Sequence, residues 1–187
     1  MNFENILPKD GPAIEEVSKY IKKYKDDIIV VKIGGSVLLN EILFDQLIED
    51  ISILKNIGLN IVAIHGGSKN IKEKLNKAKL ESKFINGLRA TDKKIIKVVE
   101  EALMELNKDI VKKLENKKCK AISFAAENKL IKVVTISKEL GFVGNPTKVD
   151  GSMILKELKN KKVPVIVPMG LDNNNNKFNI NADTAAG

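Results

Sequence analysis

The chain has 187 residues, 43% apolar and 30% charged, which suits a single soluble globular domain with a sizeable core. No apolar run is long enough for a membrane-crossing helix, Met1-Asn2-Phe3-Glu4 does not open a secretory signal, and the lone cysteine, Cys119, excludes an intrachain disulfide, so a cytoplasmic setting is expected. The net charge of +8 invites a polyanionic partner. However, the basic residues are interleaved with acids at helix-surface spacing and aromatics are only 4%, so neither nucleic acid nor membrane is the expected partner.

In chain order, residues 12–25 read as an amphipathic helix with Ile14, Val17, Ile21 and Tyr24 on one stripe. A strand follows at 28–33. Next comes a helix over about 40–57, with Leu43, Leu47, Ile51, Leu54 and Ile57 as its expected inner face and Gly58 as its stop. A second strand at 60–65 leads to a helix through about 79 with Ile71, Leu75 and Ala78 inward. Residues 81–90 read as a connector. Thr91 is the expected N-cap of a helix to about 104, and a separate helical stretch covers 106–116. Strands are expected at 119–124, 130–136 and 141–149, forming a β-ribbon, then a helix at about 151–161, an apolar strand at 163–167, a polar turn at Asn173–Asn176 and a short strand at 178–181. The first turn of another helix follows at 182–187. Strands alternating with helices predict a three-layer α/β/α sandwich on a mainly parallel sheet.

The first two strands end alike. Ile29-Val30-Val31-Lys32-Ile33-Gly34-Gly35-Ser36 is echoed by Ile61-Val62-Ala63-Ile64-His65-Gly66-Gly67-Ser68. Each is a β-branched run closing on Gly-Gly-Ser and entering a helical pattern. Helix N-termini present unpaired N–H groups, and glycine lets a backbone approach a phosphate closely. Gly34, Gly35, Gly66 and Gly67 are therefore candidate phosphate and substrate donors, although neither turn has the spacing of a Walker loop. Lys32 is either a lysine snorkelling from an edge strand or a cation aimed at a ligand where parallel sheets bind them. Arg89, the sole arginine beside 31 lysines, reads as a planar fork for a carboxylate. Asn179, Asn181 and Asp183 alternate at the end of the last strand and share a face, with Asp183 also suited to helix capping. His65, the sole histidine, is expected to hold its turn. No metal site is expected.

These segments, together with Gly87-Leu88-Arg89-Ala90-Thr91-Asp92, Leu140-Gly141-Phe142-Val143-Gly144 and Asn179-Ile180-Asn181-Ala182-Asp183-Thr184-Ala185-Ala186, resemble the amino-acid kinase superfamily and, within it, the N-acetylglutamate kinases. The order and spacing fit from about residue 5 onward. The resemblance implies an amino-acid kinase fold and phosphorylation of the γ-carboxylate of N-acetyl-L-glutamate by ATP with Mg²⁺, in arginine biosynthesis. It implies catalytic roles for Lys32 and Asp183, phosphate contacts from Gly34 and Gly35, and substrate contacts from Gly66, Gly67, Arg89, Asn179 and Asn181. It also implies a homo-oligomer, a dimer or a hexamer joined through the N-terminal helix (residues 1–26), and arginine as feedback inhibitor. Members of the family continue past the Asn-x-Asn-Ala-Asp segment into a nucleotide-binding part with a second catalytic lysine. Residues 27–187 are accordingly expected to be the acyl-substrate part, truncated at the C-terminus. The stretch Cys119–Asn128 departs from the pattern in lacking glycines, and Ser68 stands where a third glycine is common. A non-catalytic relative binding an acylated amino acid or a kinase partner, and a kinase for an N-acyl-aminoadipate, remain open alternatives.

Overall fold

The structure, a computed structural model, describes residues 11–187; residues 1–10 of the expected 1–26 unit, including Met1–Glu4, lie outside the described residues. Helix α1 (Ile14–Tyr24) turns Val17 inward, with Ile21 and Tyr24 half-buried beside it, whereas Ile14, expected on the same stripe, is 40% exposed. Strand β1 (Ile28–Ile33) ends at a one-turn helix, α2 (Gly35–Leu38). Asn40 then caps α3 (Glu41–Asn56) by accepting from the Leu43 N–H. The inner face of α3 is Phe44, Ile48 and Ile51, whereas Leu43 is 46% exposed. Ile51 and Ile57 are buried and Leu47 and Leu54 pack against the core as expected, so only Leu43 is displaced, its place taken by the larger phenyl ring of Phe44.

β2 (Asn60–His65) runs parallel to β1 with Ile33 opposite His65, which sets the two glycine turns side by side; the Gly66 N–H donates to the Ile33 carbonyl at 3.0 Å. α4 (Ser68–Lys77) buries Ile71 and Leu75. Residues 81–90, read as a connector, contain a hairpin of β3 (Phe84–Ile85) and β4 (Leu88–Arg89). Its two-residue loop has φ of 50° at Asn86 and 79° at Gly87, the left-handed pair that an Asn-Gly turn is built for.

α5 (Ile95–Asn116) is one helix, where two were expected. Val99, Leu103, Leu106, Ile110 and Leu114 carry one buried face through the supposed break. Its start is held by Asp92, whose Oδ1 accepts from the Lys94 and Ile95 N–H groups; Thr91, the expected cap, is buried and donates to the Arg89 carbonyl at 2.8 Å.

The remaining strands are β5 (Ala121–Phe124), β6 (Ile131–Thr135), β7 (Gly144–Val149), β8 (Val163–Ile166), β9 (Met169–Leu171) and β10 (Lys177–Asn179), with α6 (Ser152–Lys159) before β8 and α7 (Ala182–Ala186) at the end. The main sheet is parallel throughout, in the order β1-β2-β8-β5. The expected ribbon is β6 with β7 only; β5 joins the main sheet, and β9 and β10 extend the ribbon into a second, mixed sheet, β10-β9-β6-β7. α1, α3 and α5 pack one face of the main sheet, and α6 and α7 pack the other. This is the expected three-layer α/β/α arrangement.

Candidate functional site

The C-terminal ends of the parallel strands open into a cleft of about 160 Å³, where open α/β sheets place ligands. Its walls carry Lys32, Gly35, Gly66, Gly67, Arg89, Asn179, Asn181 and Asp183, so eight of the nine residues singled out from the sequence converge there. Gly34 does not line it. A Cβ at Gly34 would meet Lys32 Nζ only in ordinary contact, at 3.6 Å, so this glycine lies beside the lysine without being required by it.

Lys32 leaves β1 one residue before its turn, and its Nζ lies 2.9 Å from Asp183 Oδ1. The strand ends at Asn179, so Asn179, Asn181 and Asp183 do not share a strand face as expected. They reach one cleft because the chain turns directly into α7. The cap of α7 is Asn181, whose Oδ1 accepts from the Asp183 and Thr184 N–H groups at 2.9 and 3.1 Å. Capping by Asn181 leaves the Asp183 carboxylate available to Lys32, and it engages the Asn181 oxygen that the sequence reading assigned to substrate.

Arg89 is 8% exposed, although its whole charge has to be solvated by something. Its Nη1 donates to Ser82 Oγ, its Nη2 donates to the Ser68 carbonyl at 3.3 Å, and the guanidinium lies 4.7 Å from the centroid of the Phe84 ring. Among the described residues, no carboxylate lies within ion-pair distance of it. Burial lowers its pKa from the ordinary arginine value, without bringing so basic a group near neutrality. A buried, charged fork with three unused N–H donors has the chemistry to receive a carboxylate or a phosphate.

Gly66 and Gly67 close the floor. A Cβ at Gly67 would fall 2.6 Å from Leu103 Cδ2, and Leu103 is locked in the core, so only glycine lets α5 pass under this turn. His65, fully buried, contacts the Gly66 carbonyl through Nδ1 at 2.9 Å and the Asn107 amide through Nε2 at 3.1 Å. Burial pushes its pKa down to about 4, so the ring is neutral at physiological pH. It holds its turn, as the sequence reading has it.

Ser82, Phe84, Leu88 and Asn107 were missed in the sequence. The Asn86-Gly87 pair was the available signal for the hairpin that positions the first three; Asn107, a polar residue inside a helix, carried no signal. The glycine-poor stretch 119–128 lies away from the cleft. Its last three residues, Ala126–Asn128, form a 3₁₀ turn that Asn128 closes on the Ala125 N–H. Among the described residues, no group of three or more His, Cys, Asp and Glu side chains could hold a metal ion, and no helix is long and apolar enough to cross a membrane.

The model of the Amino acid kinase family matches residues 27–187. The chain belongs to this family. Among its relatives, the acetylglutamate kinase of Pelagibacter ubique (strain HTCC1062) is 52% identical over 184 residues, covering 98% of this chain and 64% of the relative. The acetylglutamate kinase of Campylobacter jejuni serotype O:2 is 42% identical over 186 residues, covering 98% and 66%. The chain thus spans just under two thirds of the length of these curated relatives. A crystal structure of a Streptococcus mutans UA159 protein superposes with a TM-score of 0.77 at 28% identity, covering 86% of this chain and 66% of that one. The amino-acid kinase fold expected from the resemblance is therefore the fold observed.

Proposed function

We propose that this amino-acid kinase phosphorylates the γ-carboxylate of N-acetyl-L-glutamate with MgATP, giving N-acetylglutamyl 5-phosphate in arginine biosynthesis, and that residues 27–187 are its acyl-substrate part. The observation that carries the proposal is the pairing, in one cleft, of a buried arginine fork without a carboxylate partner and a lysine at the Gly-Gly turns. The identity of the relatives over 98% of this chain supports the choice of substrate.

The substrate is a dianion at neutral pH, since a γ-carboxylate has a pKa of about 4.3. It needs no general base. The difficulty is bringing an anion to a polyanion, which positioning and charge neutralisation overcome. Arg89 and Asn179 grip the α-carboxylate. Gly67 offers its backbone N–H dipole to the γ end, whereas the Gly66 N–H, expected to do the same, is held by the Ile33 carbonyl. Lys32, oriented by Asp183, stabilises charge on the transferring group, with Gly34 and Gly35 beside it. Asn181 acts by capping α7 and so fixing Asp183. These cationic and N–H groups fit the terminal phosphate of the nucleotide, and magnesium, when bound, would arrive on the phosphates and offset their charge.

The proposal includes a cytoplasmic homo-oligomer and arginine as inhibitor. Supporting the oligomer, α1 leaves Ile14 and Tyr20 outward, 40% and 51% exposed. With the nucleotide-binding part present, incubation with MgATP, N-acetyl-L-glutamate and hydroxylamine should yield the hydroxamate of an acyl phosphate together with ADP. Saturable N-acetylglutamate binding without either product would select the non-catalytic relative, and product from an N-acyl-aminoadipate alone would move the substrate.

A further inference from the structure

The central strand of the sheet reaches the glycine turn through two buried side chains, and each link fixes the next. Asn107, on α5 and fully buried, directs its Nδ2 at the Val165 carbonyl at 3.0 Å and at His65 Nε2 at 3.1 Å. The Val165 oxygen can only accept, so the amide group facing it must be the NH₂. The same NH₂ faces Nε2, which must therefore be the bare, accepting nitrogen. The ring proton then belongs on Nδ1, where it is donated to the Gly66 carbonyl at 2.9 Å. The Gly66–Gly67 peptide is trans, so with its carbonyl drawn to the buried ring, its N–H points the opposite way, toward the cleft that both glycines line. Among the described residues that Gly67 N–H has no acceptor.

We infer that Asn107 and His65 are positioning residues that hold the Gly66–Gly67 peptide with its N–H facing the anionic γ end of the substrate. In the reversed peptide the carbonyl would face the anion and repel it. The Asn107 Oδ1 is buried without a hydrogen-bond donor, a burden that a leucine of similar volume would not carry. What the asparagine supplies in return is its pair of donations. The relay stands on the hydrogen bonds alone; only the identity of the anion rests on the function proposed above.

His65 is the only histidine of these 187 residues, so its ring nitrogens can be read by ¹⁵N NMR in this chain without assignment. The expected spectrum at pH 7 shows a protonated Nδ1 and a bare Nε2. An Nε2–H ring or a charged ring in the unaltered protein overturns the relay, and needs no variant that folds. In Asn107→Leu the Nδ1–H preference should weaken, since the Gly66 carbonyl alone then favours it. Affinity for N-acetyl-L-glutamate should fall about tenfold, the loss of roughly one charge-assisted hydrogen bond, while affinity for N-acetyl-L-glutamine, neutral at its γ end, changes much less. Equal losses for both ligands, or none, overturn the inference. An unaltered protein that binds no N-acetylglutamate would refute the substrate instead, and the tautomer would then decide the relay by itself.

Discussion

Arg89→Lys keeps the charge in the cleft and removes the fork. The guanidinium has five N–H donors; two serve Ser82 and Ser68, which leaves three for a ligand carboxylate in one plane. A lysine ammonium is a point charge on a flexible stem and cannot make two parallel bonds from the same place. Losing one charge-assisted bond of a bidentate pair costs about 1.5–3 kcal/mol, or roughly 10- to 150-fold in Kd for N-acetyl-L-glutamate. The fold should also weaken by about 1–2 kcal/mol, because the bonds to Ser82 and Ser68 and the stacking on Phe84 are lost in a site only 8% exposed. Calorimetric titration with N-acetyl-L-glutamate and, in parallel, with 4-acetamidobutyrate separates the two effects. The second ligand is the first without its α-carboxylate, so its affinity should be nearly unchanged by the substitution. An equal loss for both ligands would refute the assignment of Arg89 to the α-carboxylate, as would no loss for either.

Three other outcomes follow from the same geometry. Lys32→Gln and Asp183→Asn should each abolish most hydroxamate formation while leaving N-acetylglutamate binding within a few-fold and unfolding midpoints nearly unchanged, since Asp183 is largely exposed and a pair open to solvent on one side contributes little to stability; a large loss of binding would count against a role in transfer. Gly67→Ala should lower stability by about 1–3 kcal/mol by forcing a methyl onto Leu103, and Leu103→Ala in the same chain should relieve the clash, which urea titrations of the single and double variants would read. The folded His65 pKa of about 4 lies below the unfolded value of about 6.5, so the unfolded chain binds the extra proton first. Its contribution is complete above pH 6.5, is lost as pH falls toward 4, and amounts to about 3 kcal/mol at most. The slope of urea stability against pH in that window should therefore be steeper for the unaltered protein than for His65→Gln, and parallel slopes would contradict it.

The parts of the fold that a sequence can announce are those governed by local pattern. β1 and β2 were readable to the residue, because β-branched runs stop at Gly-Gly, and the glycine turns located the cleft. Lys32 and Arg89 stood out as a charge inside an apolar strand and a lone arginine among lysines. The misreadings arose where distant contacts decide. Thr91 looks like a cap, but tertiary packing buries it and Asp92 takes the task. β9 was unreadable because Met169–Leu171 is too short to show a period. Asn181 takes the capping task that Asp183 also suited, because the helix starts directly after it. The false break in α5 falls just before Asn107, a residue of poor helix propensity whose amide NH₂ is satisfied by β2 and β8, far away in the sequence.

α5 touches little of the cleft itself, yet Glu100, Leu103 and Asn107 lie on one of its faces at steps of three and four residues. Through them it meets Lys177 of β10, the Gly67 floor and the His65 ring. A saturation-mutagenesis map of the helix should therefore be striped. The outward positions Lys97, Glu101, Glu105, Lys108 and Lys112 should accept nearly any residue except proline and glycine, while Leu103 and Asn107, one turn apart, should reject most. A single-residue insertion within this helix would rotate every position beyond it by about 100°, separating Asn107 from the ring it orients without altering one cleft residue.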